Sequence, residues 1–265
     1  MNIYLIRHGR QSSSDCNVNV DLAPEGERQA ALLGQRMKLY PVDIVYCSDL
    51  IRAEQTAKIA FSGQEKLLDN LQIRPALAEV DFGELTGQPD AVVKRFYADY
   101  YQEQLDRFAE GRVQKSNALD EVNEFIGDFF VPTEEIWYPQ GETGESVLAR
   151  VMPIIREWIE SEYQNIAVVT HGGVIRILLT ALFGGDFAKR LMFGTSLENC
   201  SITQLHYDED QNGFYLDRFN DYAHLEQDPS LLRIHFNKSA STGKDMRYIW
   251  QELFWHLLPR DGRIY

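Results

Sequence analysis

Three short apolar runs, far apart in the chain, restrict the fold more than any other feature: Asn2 to Ile6, Asp43 to Cys47 and Ile166 to Thr170. Each is of strand length, and helical spacing follows each of them. Pro24 to Lys38 sets Ala30, Leu33 and Met37 on one face, with Pro24 suited to a first helical turn. Leu50 to about Ala60 follows the second run. After the third, His171-Gly172-Gly173 opens an apolar helix that ends near Phe183. The clearest helix, Gly144 to Tyr163, groups Val147, Val151, Ile154, Ile155, Trp158 and Ile159 on one side. Strands alternating with helices imply a mainly parallel sheet covered on both faces. The predicted class is therefore α/β, a three-layer αβα arrangement with a mainly parallel central sheet. Ser201 to Tyr207 and Phe214 to Phe219 read as later strands that close it.

Two segments stand outside this rhythm. Gln88 to about Pro132 has no strand-like run; Val93, Phe96, Tyr97, Tyr100 and Tyr101 recur at helical spacing, which assigns them to core packing rather than to a pocket wall. It reads as a helical insertion of the kind that forms lids. After His224-Leu225 comes a helical extension whose Met246, Ile249, Trp250, Leu253, Phe254 and Leu257 form an apolar stripe. That stripe must bury against the chain's own body or against a second copy, so a homodimer is one expected state. The 265 residues are enough for one large core. We expect a single domain over 1–265, with the insertion at about 88–132 and the extension at about 226–265.

The formal net charge of −14 argues against nucleic acid or an anionic membrane as partner, since both demand a basic face. The opening Met-Asn-Ile-Tyr-Leu-Ile-Arg-His has no signal-peptide pattern, and no apolar stretch approaches a membrane span. Cys16, Cys47 and Cys200 are odd in number and unpaired in spacing, so they read as reduced thiols and the expected location is cytoplasmic. An anionic substrate would have to be drawn by a few cations in a pocket, against the field of the whole molecule.

Such cations stand at the ends of the strands, where open α/β sheets bind their ligands. Leu5-Ile6-Arg7-His8-Gly9 leaves the first strand. Ser48-Asp49-Leu50-Ile51-Arg52-Ala53-Glu54-Gln55-Thr56-Ala57 leaves the second, and Val169-Thr170-His171-Gly172-Gly173 the third. Two histidines and two arginines thereby converge. These motifs, in this order, resemble those of the histidine phosphatase superfamily, in the branch that contains the phosphoglycerate mutases and many small-molecule phosphatases. The likeness spans roughly the first sixty residues, Leu77 to Gly87, and Gly144 to Leu225.

The resemblance implies a phosphohistidine intermediate on His8, with no cofactor and no metal. The chemistry agrees with it. Phosphoryl transfer is mostly positioning and charge stabilisation, and Arg7 and Arg52 supply planar, permanently charged forks for phosphate oxygens. His171 is expected to add a third donor, as an imidazolium held by the phosphate. His8 serves as nucleophile if one ring nitrogen donates to a backbone carbonyl and leaves the other unprotonated. A leaving alkoxide needs a proton, and the resemblance puts that acid at Glu79, with Asp81 and Glu84 as rivals in the same stretch. The substrate-binding set is then Arg7, Arg52, His171, Gly172, Arg10, Gln11 and Ser14.

The chain departs from the family pattern just after the nucleophile. Arg10 stands where an acid or amide is usual, and Ser14 where an asparagine is. Arg10 is read either as meeting a second anionic group on the substrate or as pairing with a carboxylate. Without the usual residues, hydrolysis of a small-molecule phosphate ester is the simpler outcome, with a phosphoglycerate mutase-type transfer as the alternative. A catalytically idle phosphate sensor is a third reading. The histidines lack metal-ligand spacing.

Overall fold

Successive residues of the first strand, β1 (Asn2–Arg7), point to opposite sides of the sheet and enter different cores. Ile3 and Leu5 join one apolar cluster, Tyr4 and Ile6 the other. The same division runs through β2 (Ile44–Cys47), where Ile44 and Tyr46 part from Val45 and Cys47. In β4 (Asn165–Thr170), Ile166 and Val168 part from Ala167 and Val169. Strands apolar on both sides need helices on both sides, and the computed structural model has them. It describes residues 1–114, 130–194 and 196–233.

Between β2 and β4 in sequence comes a short strand at the sheet's edge, β3 (Gln72–Ile73); β5 (Ile202–Asp208) and β6 (Gly213–Asp221) complete the sheet. The strand order is β3-β2-β4-β1-β5-β6. The first four run parallel, and β5 is antiparallel to both β1 and β6. Register matters more than order for the site. Arg7 of β1 pairs with Thr170 of β4, and Cys47 of β2 with Val169. The residues that leave these strands, His8, Ser48 and His171, therefore emerge along one edge.

One face is covered by α1 (Pro24–Met37) and α2 (Ile51–Ala60). Pro24 opens α1, Glu25 and Glu27 complement the dipole of its first turn, and Ala30, Leu33 and Met37 are buried. A short α3 (Glu65–Asp69) adds Leu67 to this core. On the other face α4 (Asp90–Gln114) packs Phe96, Tyr97 and Tyr100 against the core, and Tyr97 also lines the cleft described below. Next comes α5 (Gly144–Glu160), with a capping box in which Thr143 and Ser146 exchange side-chain and backbone hydrogen bonds. Its Val147, Val151, Ile154, Ile155 and Trp158 are buried. Trp158 meets Tyr46 edge-on, ring centroids 5.7 Å apart. The last helix on this face, α6 (Gly172–Leu182), begins directly at the end of β4.

Neither α3 nor β3 is visible in the residue pattern, because both are too short to show a period. The stretch 115–129 of the insertion and the apolar stripe expected at Met246 to Leu257 lie outside the described residues. Among the described residues no helix is long and apolar enough to cross a membrane.

The first turn of α1 rests directly on the backbone that follows His8. A Cβ on Gly26 would lie 2.1 Å from the Arg10 carbonyl oxygen, a contact only glycine avoids. Gly26→Ala should therefore destabilise the protein by about 1–3 kcal/mol, the usual range for overpacking against backbone. A lowered urea midpoint at unchanged slope is the expected reading; an unchanged midpoint would contradict the close packing.

Candidate active site

His8 is held at the strand edge from three directions. Its N–H donates to the Thr170 carbonyl at 2.9 Å, and its own carbonyl accepts from the Asn199 amide at 2.9 Å. Its Nδ1 lies 2.6 Å from the Gly9 carbonyl oxygen. A carbonyl only accepts, so Nδ1 carries the proton and Nε2 keeps its lone pair. The ring is 5% exposed. Burial first, then the Arg52 and Arg7 charges, hold its pKa well below the usual imidazole value. The ring is neutral at physiological pH.

Arg52, in the first turn of α2, is buried and directs its Nε–H to His8 Nε2 at 3.3 Å. Its other nitrogens donate to the Val18 carbonyl at 3.0 Å and to Asn17 Oδ1 at 2.8 Å. Arg7 donates to the Leu197 carbonyl, and its buried Nε–H meets no acceptor among the described residues. Burial lowers the pKa of both arginines from the guanidinium value.

His171, the residue that precedes α6, is fully buried, with its ring centroid 4.9 Å from that of His8. Ser48 Oγ stands 2.9 Å from its Nε2, while its buried Nδ1 meets no partner among the described residues. Burial, then His8, Arg52 and Arg7, push its pKa well below the ordinary value. The expectation from sequence is an imidazolium held by the phosphate; within the protein alone, burial and the neighbouring cations favour the neutral ring. Ser48 Oγ already accepts from the Leu50 N–H at 3.1 Å and has its own proton to donate to Nε2. With Nε2 accepting, Nδ1–H is the donor left for an anion.

Glu79 lies across the cleft, its carboxylate seated on the start of α6. Oε1 accepts from the N–H groups of Val80 at 3.0 Å and Gly173 at 3.1 Å. A Cβ on residue 173 would stand 2.5 Å from that oxygen, so glycine is what admits the carboxylate. Its rivals are engaged elsewhere: Asp81 closes a turn onto the Gly83 N–H, and Glu84 accepts from Gln140. Both are exposed, and of the three only Glu79 lines the cleft.

The cleft has two lobes. The larger, about 1330 Å³ including its open mouth, is lined by Arg7, His8, Arg10, Gln11, Ser14, Asn17, Arg52 and Glu79. The smaller, about 610 Å³, has Arg7, Glu79, Gly172, Gly173, Arg176 and Arg233 in its wall. Every site residue expected from sequence lines one lobe or the other, except His171, which is wholly buried against His8. Gln11 spends its amide on the Ser13 and Asp15 carbonyls, at 3.0 and 3.1 Å, so it braces the loop. Ser14 is exposed. Asn17, three positions further on, is the loop asparagine that contacts Arg52; its own amide donates to the Val80 carbonyl at 3.2 Å. Asn199, Arg176 and Arg233 belong to no motif, and only folding brings them here.

Comparison with known proteins identifies the family. The family model described as histidine phosphatase superfamily (branch 1) matches residues 3–130 and 109–222. The adenosylcobalamin/alpha-ribazole phosphatase of Escherichia coli (strain K12) is 28% identical over 190 residues, which cover 69% of this chain and 80% of that one. The 2,3-bisphosphoglycerate-dependent phosphoglycerate mutase of Protochlamydia amoebophila (strain UWE25) is 26% identical over 198 residues, 69% of this chain and 85% of the other. In fold, the mycobacterial glucosyl-3-phosphoglycerate phosphatase solved with inorganic phosphate aligns over 84% of this chain and 98% of its own, at 23% identity and a TM-score of 0.63. The relatives' names divide between phosphatases and mutases, but the family model spans most of the chain and all three strand-end motifs. The chain belongs to the histidine phosphatase superfamily, branch 1.

Proposed function

We propose that the protein is a phosphatase that hydrolyses a small-molecule phosphomonoester through a phosphohistidine on His8, without a metal ion. The observation that carries this reading is the state of His8: a buried, neutral imidazole with Nδ1 tied to the Gly9 carbonyl and Nε2 unprotonated beside Arg52. The bond that fixes the tautomer is the one a nucleophilic histidine requires.

The chemistry then proceeds in two displacements. His8 Nε2 attacks phosphorus while the ester P–O bond breaks, and Glu79 delivers a proton to the departing alkoxide. The charge on the phosphoryl oxygens is met by Arg7, Arg52 and His171 Nδ1–H. Water then attacks the phosphohistidine, Glu79 takes its proton, and inorganic phosphate leaves with His8 restored. Support for hydrolysis over mutase transfer comes from the loop after the nucleophile. Arg10 replaces the usual acid or amide, and Gln11 is bonded to loop carbonyls.

A phosphate-release screen over phosphoglycerates, sugar phosphates and nucleotides tests the reading. The wild type should release inorganic phosphate, and His8→Ala should lose at least about 10³-fold in kcat, as expected for removal of a nucleophile. Isomerisation of 3-phosphoglycerate by a primed enzyme, without phosphate release, would select the mutase instead.

Glu79→Gln should lower kcat by about 10²–10⁴-fold on alkyl phosphates, whose leaving groups need a proton, and far less on 4-nitrophenyl phosphate. An equal loss on both would remove Glu79 from the acid role.

Imidazole ¹⁵N resonances should show His8 still neutral, with Nε2 unprotonated, when the pH falls through 6.5, and a His8 titration near that value would contradict the buried neutral state. The same depression means that the unfolded chain binds more protons than the folded one just below its ordinary histidine pKa. Stability should therefore decline as pH drops under about 6.5.

A further inference from the structure

The smaller lobe of the cleft holds more positive charge than one phosphate site calls for. A single phosphoryl group is served by Arg7, Arg52 and His171, yet Arg233 lines both lobes and Arg176 lines the smaller one. Neither makes an ion pair with a carboxylate among the described residues. Arg190, in the same wall, is neutralised by Glu135. Arg176 donates to neutral acceptors, the Phe193 carbonyl at 3.1 Å and the Gly194 carbonyl at 2.8 Å, and the Glu79 carboxylate acts on it only at longer range.

Arg233 is placed rather than free-swinging. Its main-chain N–H donates to Glu198 Oε1 at 3.0 Å, and its guanidinium reaches Asn199 Oδ1 at 3.4 Å. The amide of that same Asn199 donates to the His8 carbonyl. One side chain thus connects this arginine to the backbone of the nucleophile, and the guanidinium stands beside the phosphate site. Burying a guanidinium costs solvation energy, which a bound anion can offset. Burial, together with Arg176 and Arg10, lowers the pKa of Arg233 against the opposing effect of Glu198.

We infer that the substrate carries a second anionic group, a carboxylate or a phosphate, and that Arg233 binds it at the junction of the two lobes, with Arg176 and Arg10 flanking. The inference rests on the phosphatase reading for its first phosphate site and extends that reading to the substrate class. It also gives Arg10 the first of the two roles open to it from sequence, with Arg233, which no motif marks, as the principal contact.

The test compares ligands that differ only in the second anion, by calorimetric titration of the full-length His8→Ala protein. The pairs are 3-phosphoglycerate with glycerol 3-phosphate, and fructose 1,6-bisphosphate with fructose 6-phosphate. In at least one pair the doubly anionic member should bind about tenfold tighter or more, and that pair identifies the second group as carboxylate or phosphate. Adding Arg233→Gln should reduce the advantage to about twofold or less, and Arg233→Lys should retain part of it. Equal affinities within both pairs, no binding of either doubly anionic ligand, or an advantage that survives Arg233→Gln would each overturn the subsite. Competition by the same four compounds against 4-nitrophenyl phosphate turnover in wild type and Arg233→Lys gives a second measure that does not depend on the alanine variant. Should the wild type release phosphate from no ester, the phosphatase reading fails alone, and the binding ratios still decide the subsite.

Discussion

The parallel pairing of β2, β4 and β1 is the constraint from which the site follows. Parallel neighbours in matched register end at the same edge of a sheet, and the chain places a polar residue immediately beyond each end: Ser48, His171 and His8. The contacts between these groups need no long loop to arrange them. The His8 N–H completes the β1–β4 ladder on the Thr170 carbonyl, and Ser48 N–H does the same on Val169 at 3.0 Å. Hydrogen bonds that belong to the sheet therefore set the separation of the two imidazoles.

That geometry settles the protonation of the site as well as its shape. Two histidines at van der Waals approach, with Arg7 and Arg52 beside them and almost no water, cannot readily hold additional protons. Each ring has one nitrogen assigned by a fixed partner, the Gly9 carbonyl for His8 and the Ser48 hydroxyl for His171. The roles proposed for the two rings, nucleophile and hydrogen-bond donor, thus fall to the same residue type in neighbouring places. The difference between them lies in which nitrogen has a partner and in what that partner is able to do.

Much of this is legible in the residues. The strands β1, β2 and β4 and the helices α1, α2, α5 and α6 show their periods over enough residues to be read, and Arg7, His8, Arg52 and His171 stand in motifs at the strand ends. What escaped reading has physical reasons. Gln72–Ile73 pairs with β2 but is too short to alternate visibly. Asn17 contacts Arg52, whereas the family pattern expects its asparagine at about position 14; between them the loop is braced by the Gln11 side chain. Asn199 precedes β5 and Arg233 lies beyond β6, both remote in sequence from the motifs, so no spacing rule reveals them. A sequence shows that the His171 imidazole is near arginines but not that it is buried, and burial is the largest cause of its lowered pKa.

The seat of Glu79 on the first turn of α6 has a mechanical corollary. That helix starts where β4 ends, and β4 is bonded along its whole length to the strand that carries His8. On the proposed mechanism, nucleophile and acid are therefore tied to one sheet through ladder bonds and a glycine amide, and neither tie runs through α4 or the loop after His8.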